Sequence, residues 1–143
     1  MIQKAYLAMG CFWGPDEFFS DLPGVFRTRV GYSGGGKANP TYNDLDGHSE
    51  TVEIEFDPGK MPYAEILKYF FSEQDPGSRE ETRYRSAIFY LDDAQKEIAE
   101  AAKKEAEKEY GPIATSIEPF GKFYPAEGYH QKYLQKLKAE KML

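Results

Sequence analysis

Residues 51 to 57 alternate without a break, with Val52, Ile54 and Phe56 apolar and Glu53 and Glu55 charged. Side chains of a strand point to opposite faces with a period of two. This run therefore reads as a half-buried strand whose outer face carries Glu53 and Glu55 as ordinary surface charges. Pro58-Gly59 stops it. Residues 4–9 read as a short strand. Residues 14–22 read as a helix, with Pro15 tolerated in the first turn, Asp16 and Glu17 at its positive end, and Pro23-Gly24 closing it. Residues 25–32, rich in β-branched and aromatic types, read as extended. Residues 33–49 hold Gly34-Gly35-Gly36, Asn39-Pro40 and Asp46-Gly47 and read as a long irregular loop. Such loops are usually functional or disordered, and the tyrosine and histidine inside this one favour function. Residues 62–71 place Ile66, Leu67, Phe70 and Phe71 at helical spacing, and residues 86–91 return to a strand pattern.

That order is βαββαβ, which predicts an α+β fold: a two-layer sandwich with a ferredoxin-like core. Additional C-terminal elements follow. Asp92 or Asp93 caps a helix whose apolar stripe is Ala94, Ile98, Ala101, Ala102 and Ala106, with Gly111-Pro112 as its stop. Residues 115–119 read as an edge strand, residues 120–124 as an aromatic stretch that wraps the domain, and residues 128–143 as a terminal helix. No repeat or linker interrupts the 143 residues, so one domain over residues 1–143 is expected.

A net charge of −6 disfavours a nucleic-acid binder. Lys132, Lys136, Lys138 and Lys141 read as the solvated end of the terminal helix, where cations suit the dipole. The first nine residues lack a signal-peptide pattern, and no run approaches the roughly 20 apolar residues of a membrane span. The expectation is a cytoplasmic monomer with no membrane or nucleic-acid partner. One cysteine makes no internal disulfide, and with His48 and His130 as the two histidines the usual zinc spacings are absent. No metal is expected.

The cysteine, Cys11, sits in Gly10-Cys11-Phe12-Trp13-Gly14 at the start of the first helix, beside the chain's one tryptophan. A thiolate is favoured at a helix N-terminus by unpaired backbone N–H groups and the macrodipole, which lower its pKa, although Asp16 and Glu17 oppose it. The flanking glycines allow close approach of a ligand, and Phe12 and Trp13 supply an apolar wall if they face the same side. Cys11 is thus a candidate nucleophile. The alternatives are a structural cysteine, a peroxide-reducing or redox-sensing thiol, a Cys–His hydrolase using His48, and a ferredoxin-like binding module without catalysis.

The same run followed by Glu17 and Phe18, then Leu22-Pro23-Gly24-Val25, Gly31-Tyr32-Ser33-Gly34-Gly35, Asn39-Pro40-Thr41-Tyr42 and Gly47-His48-Ser49-Glu50, resembles peptide methionine sulfoxide reductase A. The resemblance continues through Asp57-Pro58, Asp75-Pro76, Tyr84-Arg85-Ser86 and the stretch from Ala126 to Leu134, and so covers essentially the whole chain. It implies thiol-dependent reduction of methionine-S-sulfoxide, free or within oxidised proteins and peptides, through a Cys11 sulfenic acid. It also implies that Tyr42, Glu50 and Tyr84 surround the sulfoxide oxygen while Phe12 and Trp13 enclose the substrate methyl group. Glu50 donates a hydrogen bond there only if burial keeps it protonated. His130 is expected to pack or orient the C-terminal helix, and Asp75 to cap a turn with Pro76.

Two departures from the family pattern stand out. Where many relatives carry a longer insert ending in an active-site Asp, only residues 77–83 remain here, and Glu80 or Glu81 are the candidates to substitute. No cysteine lies near the C-terminus to resolve the sulfenic acid, so the expected reductant is an external thiol, either a thioredoxin-like protein or a small dithiol. No bound cofactor is expected.

Overall fold

The computed structural model describes residues 1–73 and 82–141. Six strands, β1 (Gln3–Met9), β2 (Val25–Ser33), β3 (Ser49–Phe56), β4 (Ser86–Tyr90), β5 (Ser116–Pro119) and β6 (Phe123–Pro125), form one sheet in the order β5-β4-β1-β3-β2-β6. The alternating run is β3, flanked by β1 and β2. Every neighbouring pair is antiparallel except β4 with β5, which is parallel. The helices are α1 (Trp13–Ser20), α2 (Tyr63–Ser72), α3 (Asp93–Tyr110) and α4 (Tyr133–Lys141).

One sheet face meets the helices. Ala5 and Leu7 of β1, Val30 of β2, Val52, Ile54 and Phe56 of β3 and Ile88 of β4 pack with Phe19 of α1, Ile66, Leu67 and Phe70 of α2, and Ala99 and Ala106 of α3. These are the even positions of β3, as the period of two requires. The opposite face holds Tyr6, Ala8, Ala87 and Phe89 beneath Phe120 and Phe123. The aromatic stretch does wrap the domain: it runs from β5 at one sheet edge to β6 at the other, and Phe120 stacks on Tyr6 with ring centroids 4.1 Å apart.

This strap overturns the reading of Glu53 as a surface charge. Glu53 is 1% exposed. Its carboxylate accepts the Tyr6 hydroxyl at 2.7 Å and pairs with Arg29 at 2.7 and 3.1 Å. Burial pushes its pKa up, but the bonds from Arg29 and Tyr6 outweigh it and hold the carboxyl below its ordinary range. Glu55 is half-buried against Arg27.

In α3, Asp92 is the cap, accepting Gln95 N–H at 2.8 Å. The stripe is rotated from the expected one. Gln95, Ala99 and Ala106 are buried and Ile98 and Ala102 half-buried, whereas Ala94 and Ala101 are exposed. Gln95 belongs inside because its side chain satisfies Leu91 N–H and Lys4 C=O at 2.9 Å each.

The expected terminal helix is broken. Gly128–His130 form a 3-10 turn, and Lys132 takes a positive φ of 55° before α4 begins. Lys132 is not part of a solvated patch. Its Nζ donates to Asp16 Oδ1 at 2.9 Å and to Thr28 C=O at 2.6 Å, and its N–H donates to Asp16 Oδ2 at 2.9 Å. Asp16, fully buried, thereby ties α1 to β2 and to the C-terminal segment. Gln131 hydrogen-bonds both backbone groups of Val30, so its amide extends the β2 ladder beyond β6. No helix among the described residues is long and apolar enough to cross a membrane.

Candidate active site

β1 delivers the chain to Gly10, whose φ of 90° turns it sharply, and Cys11 follows at the solvent-accessible lip of α1. The Trp13 backbone N–H bonds the Cys11 sulfur, as expected of a thiol at a helix N-terminus. The net effect on the thiol is nevertheless upward. Desolvation raises its pKa, the Trp13 N–H lowers it, and the charge of Glu50 raises it again. The dipole argument alone gives the wrong sign because it omits the burial of the thiol first and the charge of Glu50 second.

Glu50 is the second residue of β3 and 1% exposed. Its Oε1 accepts the Phe12 N–H at 3.1 Å. Burial pushes the carboxyl above its ordinary range, and the Phe12 N–H and Arg83 partly offset that. Thiol and carboxyl are therefore adjoining groups, and the charge of Glu50 favours the neutral form of the thiol.

The aromatic residues converge on His130. Phe12 lies 5.2 Å from the imidazole by ring centroids, Trp13 5.8 Å and Tyr42 4.7 Å. Trp13 Nε1–H donates to His130 Nδ1 at 3.1 Å, and the indole stacks on Tyr133 at 3.9 Å. His130 thus orients an indole as well as packing its own segment. Its protonation is disfavoured chiefly by burial. Phe12, 1% exposed, packs inward against Tyr32, while Trp13 is half-buried.

Tyr42 stands in the 34–48 loop, which a bridge between Thr41 and Asp44 shapes. Its side chain hydrogen-bonds Tyr84, at the end of the 3-10 turn Thr82–Tyr84 that leads into β4. Arg83 lies over both rings, 4.5 Å from the Tyr42 centroid and 5.9 Å from that of Tyr84. Arg83 was not anticipated, and nothing in the sequence around it signals the role. Glu127 was also missed, although it lies inside the C-terminal motif. It accepts the Tyr32 hydroxyl at 2.8 Å and the Tyr42 N–H at 3.1 Å. Burial raises its pKa, but these donors outweigh it and keep the carboxyl below its ordinary range.

His48 is no base for Cys11. Its Nδ1 accepts the Gly35 N–H at 3.0 Å and its Nε2 donates to Lys37 C=O at 2.7 Å, so both nitrogens hold the loop. Glu80, Glu81, Asp75 and Pro76 lie outside the described residues. Among the described residues no group of three or more His, Cys, Asp or Glu could hold a metal ion. A groove of about 710 Å³ between α2 and α3 includes none of these site residues.

The family model described as peptide methionine sulfoxide reductase matches residues 3–142. The chain belongs to the peptide methionine sulfoxide reductase family. It is 48% identical over 143 residues to peptide methionine sulfoxide reductase MsrA of Mycobacterium ulcerans, covering 94% of this chain and 84% of that one. The fold is similar to Mxr1 from Saccharomyces cerevisiae in reduced form, with a TM-score of 0.88 and 29% identity, covering 94% of this chain and 85% of that one. It is also similar to Mxr1 solved in complex with Trx2, with a TM-score of 0.71 and 25% identity, covering 92% of this chain and 84% of that one. Membership of this family gives the chain its general chemistry, the reduction of methionine sulfoxide.

Proposed function

We propose that the chain is a single catalytic domain that reduces methionine-S-sulfoxide, free or in oxidised peptides, by nucleophilic attack of Cys11. The observation that carries this reading is the pairing of a solvent-accessible thiol with a buried carboxyl whose pKa is raised, joined through the Phe12 N–H. Cys11 thiol with Glu50 carboxylate contains as many protons as Cys11 thiolate with Glu50 carboxyl. The second form is the reactive one. Thiolate attacks the sulfoxide, Glu50 supplies a proton to the oxygen, and the S–O bond breaks as the oxygen passes to Cys11. Methionine leaves and Cys11 becomes a sulfenic acid. Tyr42 and Tyr84 provide hydrogen bonds to the oxygen, and Trp13, fixed by His130 and Tyr133 with Phe12 beside it, faces the substrate methyl group.

The chain's one cysteine makes this a reductase without an internal resolving thiol. A thiol from outside attacks the sulfenic acid, releasing water and leaving a mixed disulfide, and a second thiol restores Cys11. A thioredoxin-like protein is the reductant we favour, and the neighbour solved with Trx2 supports it. The biological role on this reading is repair of oxidised methionine in the cytoplasm. The ferredoxin-like description belongs to the same reading, supported by the strand order β4-β1-β3-β2 with antiparallel neighbours.

The test is methionine release from the separate S and R sulfoxides of methionine with a dithiol present. Release from the S form that vanishes in Cys11→Ala is expected. Equal release by Cys11→Ala, or rapid peroxide consumption with none of the sulfoxide reduced, overturns the reading.

A further inference from the structure

A cleft of about 480 Å³ opens along α1 beside the thiol. Its near end is lined by Met9 and Gly14, which bracket Cys11 in the chain. Two residues of chain span at most about 7 Å, so the Cα of Met9 lies no farther than that from the Cα of Cys11. From there the cleft follows one face of α1, because Gly14, Glu17, Phe18 and Asp21 stand at helical spacing. The rise from Gly14 to Asp21 is about 10 Å. None of the residues assigned above to the sulfoxide lines this cleft.

The lining changes character along its length. Met9, Pro15 and Phe18, all half-buried, form an apolar wall near the thiol. Glu17 and Asp21 add carboxylates farther along α1, and Glu73, at the end of α2, adds a third. No lysine or arginine lines the cleft. One ammonium already reaches it from α4: Lys138, its side chain 69% exposed, pairs with Glu17 at 2.7 Å. Among the described residues Asp21 and Glu73 form no ion pair within 4.0 Å. An apolar wall that leads to unmatched carboxylates suits a side chain with a methylene stem and a cationic head. In an extended peptide, a residue three positions from another stands about 10 Å away, which is the reach of the cleft along α1.

We propose that this cleft is a subsite for a lysine or arginine side chain two or three positions from the methionine sulfoxide in an extended peptide substrate. The inference rests on the reductase reading and deepens it by naming a substrate class, oxidised methionine with a cationic neighbour. The carboxylates act on binding of the peptide, before the chemistry at sulfur begins.

The test compares kcat/KM, with dithiothreitol as reductant, for short peptides of methionine-S-sulfoxide that carry Lys, Gln or Glu at the second and third positions on either side. Each value is divided by that of N-acetylmethionine-S-sulfoxide amide with the same protein, so that any damage around Cys11 cancels. The Lys peptides are expected to exceed the Glu peptides about fivefold at low salt, through KM, and the ratio is expected to shrink at high salt. Asp21→Lys combined with Glu73→Lys is expected to abolish or reverse the ratio. Glu97→Lys combined with Glu100→Lys, the same charge change at exposed positions of α3, is expected to leave it in place. Equal use of Lys and Glu peptides overturns the proposal. So does a preference that both pairs of substitutions reduce alike, since that preference belongs to the net charge of −6 and not to the cleft. Absence of any sulfoxide reduction by the wild-type chain would instead defeat the reductase reading itself.

Discussion

The backbone N–H of Phe12 and the Oε1 of Glu50 are 3.1 Å apart, so the residue after the thiol and the buried carboxyl are directly joined. A glutamine at position 50 keeps an oxygen for that N–H and loses the proton. Glu50→Gln is expected to lower kcat about 10²–10³-fold with KM little changed, as for loss of a general acid. The thiol is expected to respond in the opposite sense. Glu50's charge is one cause of the raised Cys11 pKa, so its removal lowers that pKa and speeds alkylation at fixed pH. Unchanged alkylation in the variant would show that the two groups are not coupled, and slower alkylation would reverse the sign of the coupling.

The count of one cysteine fixes a stoichiometry. Without added thiol, about one methionine per chain is expected, followed by a halt with Cys11 as a sulfenic acid that dimedone traps. A thioredoxin lacking its second cysteine is expected to stall as a mixed disulfide with Cys11. Continued turnover with all thiols excluded would contradict the scheme.

The bond from Trp13 to His130 Nδ1 requires a neutral imidazole with its proton on Nε2. Burial, aided by Arg83, holds the His130 pKa below its ordinary 6.5. The bond is therefore kept at neutral pH and lost as pH falls through that lowered value. The emission of the single tryptophan is expected to shift over that acidic range, with a parallel rise in KM. His130→Phe, which cannot titrate, is expected to show no such shift. An emission that stays flat through the whole acid range in which the chain remains folded would mean that the indole is held by Tyr133 alone.

Glu53 titrates in the other direction. Its folded pKa lies below the ordinary 4.5, so in that interval the unfolded chain binds more protons than the folded one. Its contribution to stability is complete at neutral pH and is lost as pH falls below 4.5 through the folded value. Glu53→Gln leaves Arg29 without its partner, and a loss of about 1–2 kcal/mol is expected in urea unfolding at pH 7, narrowing toward pH 4. A loss of equal size at both pH values would refute this.

Strand β3 shows how far the sequence could be read. Its alternation separated two faces correctly, and the helices cover the face of Val52, Ile54 and Phe56. Alternation says that the faces differ and not that the polar one is bare, and the strap that buries Glu53 comes from a distant part of the chain. The terminal helix was misread for a similar reason. Lys132 leaves helical geometry to meet Asp16, a contact that no local pattern encodes. In the site, Cys11, Trp13, Glu50, Tyr42 and Tyr84 were legible as a family motif, and the structure brings them into one region. Arg83 was not, because its placement depends on Ser49 holding both ends of a turn in the folded chain.

Trp13 and His130 are separated by 117 positions, yet one hydrogen bond sets the indole. During synthesis Cys11 and Trp13 leave the ribosome early, and His130 and Tyr133, which hold the indole, leave it late. A growing chain thus carries the thiol and the indole beside it before the partners that fix the indole exist. On the mechanism proposed above, the site is therefore complete only when the C-terminal segment docks.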